Sequence, residues 1–314
     1  MNGLRVGIGE GGGYGKMIAQ MMVHGETEWD TWQLDPRRIT SFANTEYTAL
    51  KSIEDYQHEF RWHLPHEHRS AGRPAKASPL YPVLKDKGAE FGVVNGWERT
   101  EFYKPNADFV PTHGYAFQNW HSVVGNEIEA LRTNVGLAEL SGFNHYRISG
   151  TGALEWLSGL TCSKVSIKTG KASLCYFLTP KGNISGEATV VPLPGGDIFY
   201  GFAAAAQYHD MDWLNERLPA GSDIRIESRT NTHTMMVLAG LKTRDLLAAV
   251  SPRTKWGQSD FPWLTAQRVF IGHVEALAIA ISYSGDPAFE LHLPNTQPYP
   301  PYGRLLYTPH AALD

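Results

Sequence analysis

The sequence predicts an α+β fold, and three observations predict it. From about Gly96 onward, short apolar segments that read as strands are bounded by turn residues. Between them stand segments whose leucines recur at helical spacing. Neighbouring strands are joined by glycine-containing turns short enough for hairpins, as at Thr179-Pro180-Lys181-Gly182-Asn183.

The elements follow in order. Ile128, Leu131 and Val135 share one face of a helix beginning near Gly125–Glu127. Tyr146–Ser149 is a strand. Leu154, Leu157 and Leu160 mark a second helix, with Thr151 or Ser149 as its cap. Cys175–Leu178 and Ile184–Leu193 form a hairpin, and the Pro194-Gly195-Gly196 turn leads to strand Ile198–Phe202. His209–Leu218 and Arg244–Val250 are helical. Val274–Tyr283 and Phe289–Leu293 are strands around Ser284-Gly285-Asp286-Pro287. No period of repeat length is present.

Composition excludes several classes. At 314 residues the chain has room for one large domain or two ordinary ones, and 42% hydrophobic residues supply a sizeable core. A net charge of -4 without a Lys/Arg run gives no electrostatic footprint for nucleic acid. The longest apolar stretch, Val274 to Ile281, is too short to span a bilayer. Met1 to Lys16 lacks the basic and apolar regions of a signal peptide. Two cysteines, Cys162 and Cys175, suit a reducing compartment. The expected location is therefore the cytoplasm, or the mitochondrial matrix in a eukaryote.

The first segment reads differently. Leu4–Ile8 is a short strand, Gly9 to Lys16 a glycine-rich turn, and Met17, Ile18, Met21 and Met22 the apolar face of a helix. Bare amides at such a helix start attract phosphates, which makes Gly11, Gly12 and Gly13 candidate cofactor contacts. Gly7-x-Gly9-x-x-Gly12 fits the dinucleotide fingerprint, but no second apolar strand ending in an acid follows it. The P-loop pattern also fails, at Glu10 and Met17. A tight turn with close helix packing explains the glycines equally well. Residues 34–94 are charged, rich in His and Pro, and read as a connector whose prolines break any long element. His63-x-x-His66-x-His68 lacks the further ligands of a recognisable metal site, so no metal is expected.

Two carboxylates could carry chemistry. Glu187 sits just past the hairpin turn, beside small residues. Strand alternation puts Phe289 and Leu291 on one face and Glu290 with His292 on the other. The turn can bring the Tyr283 hydroxyl near Glu290. From spacing alone, each acid is first a solvated strand residue.

At these residues the sequence resembles a known family. Ser282-Tyr283-Ser284-Gly285-Asp286-Pro287-Ala288-Phe289-Glu290-Leu291 resembles the Ser-Tyr-x-Gly-Glu-x-Gly-x-Glu-Leu motif of the folate-binding aminomethyltransferase domain. The glycine-cleavage T-protein and the dimethylglycine and sarcosine dehydrogenases share that domain. Leu178 to Val190 resembles its Leu-x-x-x-Gly-Gly-Ile-x-x-Asp-Leu-x-Val hairpin. Leu34-Asp35-Pro36-Arg37-Arg38, Ser78-Pro79-Leu80-Tyr81, Gly96-Trp97-Glu98-Arg99 and Phe102-Tyr103-Lys104-Pro105 are most similar to the dimethylglycine dehydrogenase branch.

The resemblance implies a T-protein-like folate domain of antiparallel sheets with packed helices. It implies three segments: a tail of an FAD-dependent oxidoreductase domain over 1–33, a connector or oxidoreductase central region over 34–94, and the folate domain over 95–314. The family's hairpin Asp falls on Glu187, implying the catalytic carboxylate. Its pterin-holding Tyr and Glu fall on Tyr283 and Glu290. The implied cofactor is tetrahydrofolate, with FAD supplied by a preceding domain or a flavoprotein partner subunit, and the implied substrate an N-methylated glycine. Departures occur at Asp286, Pro287-Ala288, Ala280 and Asn183. The family's FAD half and closing barrel are expected to lie before residue 1 and after residue 314, so this chain alone is not expected to oxidise an amine. A non-catalytic scaffold and an inactive fragment are the alternatives.

Overall fold

A computed structural model describes residues 8–307. Two compact units divide the chain between Thr40 and Ser41. The first is built on helix α1 (Ile8–His24) and two 3-10 turns, Trp32–Leu34 and Pro36–Arg38. The second turn starts on Pro36, whose φ suits a first helical position, and Asp35 caps it by accepting from the Arg37 amide at 2.8 Å.

The expected strand–turn–helix entry is corrected here. Ile8 already begins α1, and Gly11, Gly12 and Gly13 lie inside the helix. The amides of Gly12 and Gly13 are then committed to carbonyls four residues back rather than open to an anion. Nothing lies within 4 Å of a Cβ added at any of the three, so close packing does not require glycine either. The rest of the proposed strand, residues 4–7, lies outside the described residues.

The second unit opens with helices α2 (Thr45–Gln57) and α3 (Tyr81–Asp86) and a hairpin of β1 (Ala89–Val94) and β2 (Trp97–Tyr103). Helix α2 falls in the segment read as a featureless connector. It sits ahead of the prolines and starts on an Asn44 side chain that accepts from the Tyr47 amide at 2.9 Å. None of its residues is buried, so no apolar stripe announced it. The hairpin turns on Asn95 (φ 48) and Gly96 (φ 80), the left-handed pair that a two-residue turn demands.

Glu98, on β2, is 3% exposed and takes a fork from Arg73: Nε to Oε1 at 3.0 Å and Nη2 to Oε2 at 2.6 Å. Arg73→Met leaves that buried carboxylate without its partner. The expected cost is about 3–5 kcal/mol, read as a lower urea midpoint at unchanged m-value.

The remaining elements are α4 (His121–Thr133), β3 (Gly136–Glu139), β4 (Asn144–Ser149), α5 (Ala153–Leu160), β5 (Ser173–Leu178), β6 (Ile184–Pro192), β7 (Ile198–Phe202), α6 (Gln207–Glu216), β8 (Arg225–Ser228), β9 (His233–Ala239), α7 (Thr243–Val250), β10 (Ala266–Ile271), β11 (Val274–Ile279), β12 (Ala288–Pro294) and α8 (Tyr299–Tyr307). They build two five-stranded sheets, ordered β10-β11-β12-β9-β3 and β5-β6-β7-β4-β8, with antiparallel pairing throughout. This is the expected α+β architecture of antiparallel sheets with packed helices.

Three local expectations change. Helix α4 starts four residues early and ends before Val135. Helix α5 is entered through Gly152 at φ 71, while the Thr151 amide and hydroxyl both bond Asp223 instead of capping the helix. The proline-rich end forms α8, with Pro301, Tyr302 and Leu305 buried.

Alternation gives each sheet two apolar faces. The outer face of the first carries Met236, Leu238, Phe289 and Leu291 against Leu247 of α7 and Leu305 of α8. The outer face of the second carries Tyr146, Val190 and Tyr200 against Leu157 of α5 and Leu214 of α6. A third cluster, including Val191, Phe199, Ala266 and Ile279, joins the inner faces. The inner faces therefore meet each other, and they also carry Glu187, Glu290 and His292 by period two. Among the described residues, no helix is long and apolar enough to cross a membrane.

Candidate functional site

The site is built on β12 and the turn before it. Ser282 to Pro287 closes through the Gly285 amide, which donates to Ser282 Oγ at 2.9 Å, with Gly285 at φ 91. Ser284 Oγ donates to Asp286 at 3.1 Å. The Gly240 amide donates to the Pro287 carbonyl at 3.0 Å and ties the turn to the end of β9. These contacts place Asp286, a departure from the family motif, and its neighbour Pro287 in turn-holding roles.

Glu290 pairs with Ile279 on β11 and Val237 on β9, in the middle of its sheet. It is 5% exposed, which corrects the expectation of a solvated acid. Two neighbours hold its carboxylate. The Tyr283 hydroxyl donates to Oε1 at 3.0 Å, and His292 Nε2 lies 3.1 Å from Oε2. A carboxylate only accepts, so His292 carries its hydrogen on Nε2. Each carboxylate oxygen keeps a further lone pair, so the plane is fixed and still able to receive a fork of N–H donors.

Tyr283 is 75% exposed as a residue, yet its hydroxyl end tucks in towards Glu290. Loss of water around the hydroxyl raises its pKa, and the charges of Glu290 and Glu187 raise it further. Glu187, exposed on β6, is thus within electrostatic reach of the same phenol. The structure gathers the three candidates of the folate motifs, and it leaves Gly11, Gly12 and Gly13 in the other unit.

Sequence reasoning missed two more side chains, His145 and His233, which join His292. His145 on β4 and His233 on β9 lie with His292 around a cavity of about 480 Å³ that Phe199 and Arg229 also line. The ring of His145 is 5.2 Å from those of both His233 and His292, and Phe199 is 4.8 Å from His292. No sequence signal marks His145 or His233, because three strands from two sheets supply the cluster. Burial pushes His145 well below the usual histidine range and His233 down to about 4, with Arg229 and His292 adding to both. Both rings are neutral at pH 7. Among the described residues, this cluster included, no group of three or more His, Cys, Asp or Glu is placed to hold a metal.

The His233 shift sets a pH dependence. An unfolded histidine takes its proton near pH 6.5, but the folded one only near 4, so the unfolded state binds more protons between these values. This stabilising contribution is complete above about pH 6.5 and is lost as pH falls towards 4. In urea melts at pH 7.5 and pH 5, wild type is expected to lose about 1–2 kcal/mol more than His233→Gln, after discounting for partial solvent contact.

The family model described as GCVT N-terminal domain matches residues 80–310, and that described as FAD dependent oxidoreductase central domain matches residues 24–78. The chain is 32% identical over 295 residues to mitochondrial dimethylglycine dehydrogenase of Rattus norvegicus, covering 92% of this chain and 34% of that protein. It is 26% identical over 298 residues to the mitochondrial pyruvate dehydrogenase phosphatase regulatory subunit of Mus musculus, with the same 92% and 34% coverage. The chain thus spans about a third of the length of these curated relatives. Among solved structures it matches glycine cleavage system aminomethyltransferase T from Bartonella henselae, with a TM-score of 0.60 and 19% identity, covering 74% of this chain and 57% of that one. That likeness shows the fold. With one family model spanning most of the chain and the second matching the segment before it, the protein belongs to the GCVT N-terminal domain family, preceded by an FAD dependent oxidoreductase central domain.

Proposed function

We propose that this chain is the tetrahydrofolate-binding part of a dimethylglycine or sarcosine dehydrogenase-like enzyme, passing a one-carbon unit from an N-methylated glycine to the folate. The observation that carries this reading is the buried Glu290 carboxylate, held on one side by Tyr283 and on the other by His292. A pterin edge presents adjacent N–H donors, which an oriented carboxylate accepts as a fork. When bound, the reduced folate supplies the nitrogen that captures the one-carbon unit. Glu290 and Tyr283 hold and orient the ring. Glu187, exposed near Tyr283, takes the proton released at that nitrogen.

The glycine segment does not fit a flavin pyrophosphate, because α1 runs through it. Flavin is therefore assigned to another domain or to a flavoprotein partner subunit, and no step here passes through it. Two free cysteines, with the buried Cys175 thiol pushed up to about 11, support a reducing compartment, the cytoplasm or the mitochondrial matrix.

Calorimetric titration of the chain with 5-formyltetrahydrofolate tests the reading. Saturation with a Kd in the micromolar range is expected. No binding at several hundred micromolar would leave the second reading, a non-catalytic regulatory module, which the equal coverage of a relative named a regulatory subunit favours.

A further inference from the structure

The loop between α5 and β5 has a charge pattern unlike the rest of the chain. The 31 residues from Trp156 to Gly186 hold four lysines and no Asp or Glu, although the whole chain carries a net charge of -4. Three of the four, Lys164, Lys168 and Lys171, stand within eight residues of one another. Among the described residues no ion pair engages any of the three, and the Lys171 amine donates to the Trp263 carbonyl at 3.4 Å.

The backbone of this loop is tied down. Val165 sinks into the core beneath α5 and is 6% exposed. The Ser166 amide donates to Ser173 Oγ at 2.9 Å and the Lys168 amide to Ser166 Oγ at 3.2 Å. The Gly170 amide donates to the Pro192 carbonyl, and the Ala266 amide to the Gly170 carbonyl, both at 2.7 Å. A Cβ at Gly170, which has φ 75, would lie 2.8 Å from the Ala266 carbonyl oxygen, so this approach to β10 requires glycine.

A loop held in this way keeps apolar side chains out in water. Ile167, between Lys164 and Lys168, is 86% exposed. Trp263, whose carbonyl takes the Lys171 amine, is 60% exposed. Apolar tips set among unpaired lysines match the surface of an anionic bilayer, where ammonium groups meet phosphates, an aliphatic side chain enters the acyl boundary and an indole rests at headgroup level. A soluble polyanion would answer the charge and leave the apolar tips in water. One exposed acid, Asp260, lies three residues before Trp263. That acid and the net charge oppose the attraction, which is therefore local, screened beyond about 8 Å in physiological salt, and weak.

We propose that the α5–β5 loop docks the chain on anionic phospholipid membranes, with Lys164, Lys168 and Lys171 at the headgroup phosphates and Ile167 and Trp263 in the acyl boundary. The chain rests on the bilayer surface and does not span it. The assignment uses none of the residues on which the folate reading rests.

The test is co-sedimentation of the full chain with vesicles. Vesicles of phosphatidylglycerol and phosphatidylcholine in equal parts are compared with phosphatidylcholine alone, at about 50 mM and about 500 mM salt. In low salt, half of the protein is expected on the anionic vesicles at about 1 mM lipid, with at least about tenfold weaker binding in high salt or to phosphatidylcholine alone. The double variant Lys164→Gln/Lys168→Gln is expected to bind about 25-fold more weakly, at roughly fivefold for each lysine. Ile167→Ser is expected to bind about tenfold more weakly with an unchanged salt dependence. Lys85→Gln removes the same charge from exposed α3 surface and should leave binding unchanged. Thermal melts confirm that each variant is folded. The proposal is overturned if anionic vesicles bind no better than phosphatidylcholine, if the folded double variant binds like wild type, or if Ile167→Ser does, which would leave a site for soluble polyanions.

Discussion

Glu290→Ala is expected to weaken binding of 5-formyltetrahydrofolate at least about 100-fold, the loss of two hydrogen bonds to a charged acceptor at roughly 1.5–3 kcal/mol each. The substitution also strips Tyr283 and His292 of their shared partner. Two comparisons separate binding from folding. Glu290→Gln keeps the shape but turns one acceptor oxygen into a donor, so it should recover the melting temperature and little of the affinity. Glu155→Ala, on the exposed side of α5, should leave the affinity unchanged. Equal dissociation constants for wild type and Glu290→Ala would remove Glu290 from the folate site.

Gly240→Ala is expected to be the most damaging single methyl group in the second unit. Gly240 has φ 125 and stands between β9 and α7. A Cβ there would lie 2.2 Å from the Leu131 carbonyl oxygen and 2.4 Å from that of Asn134. Both obstacles are backbone, at the end of α4, and cannot swing aside. The expected loss is about 4 kcal/mol or more, close to the whole stability of many domains, so a melting temperature lower by about 10 °C or an insoluble product should result. Gly285→Ala supplies the contrast. Its φ is 91, but an added Cβ meets nothing within 4 Å, so the cost should stay near 1 kcal/mol. Similar melting temperatures for the two variants would show that backbone crowding at Gly240 is relieved by movement of α4.

The elements that the sequence announced are those with strong local punctuation. The β5–β6 hairpin closes where Gly182 reaches φ 80 and its amide returns to the Thr179 carbonyl at 2.8 Å. Strand β7 matches its expected span because Pro194-Gly195-Gly196 stops the chain ahead of it. Elements without such marks stayed hidden. Helix α2 buries no residue and so shows no stripe, and α8 begins among prolines, which fit its first turn. Strand β9 runs His-Thr-Met-Met-Val-Leu-Ala, too uniformly apolar from Met235 on to show alternation, since it is an interior strand of its sheet, paired on both sides with β12 and β3. The glycine-rich start misled in the other direction: local composition suggested a turn, and the chain forms a helix through it.

By itself the sequence determined the α+β class, the hairpins, the family resemblance and the facing of Glu290 with His292, because each depends on residues a few positions apart. Tertiary structure alone decided what those residues meet. Whether Glu290 is solvated or buried depends on its place in the middle of a five-stranded sheet, with the second sheet's inner face set against its own. The gathering of His145, His233 and His292 arises from strands up to 147 positions apart in number, from His145 to His292. No periodicity within one segment carries that information, since it exists only once two sheets have closed on one another.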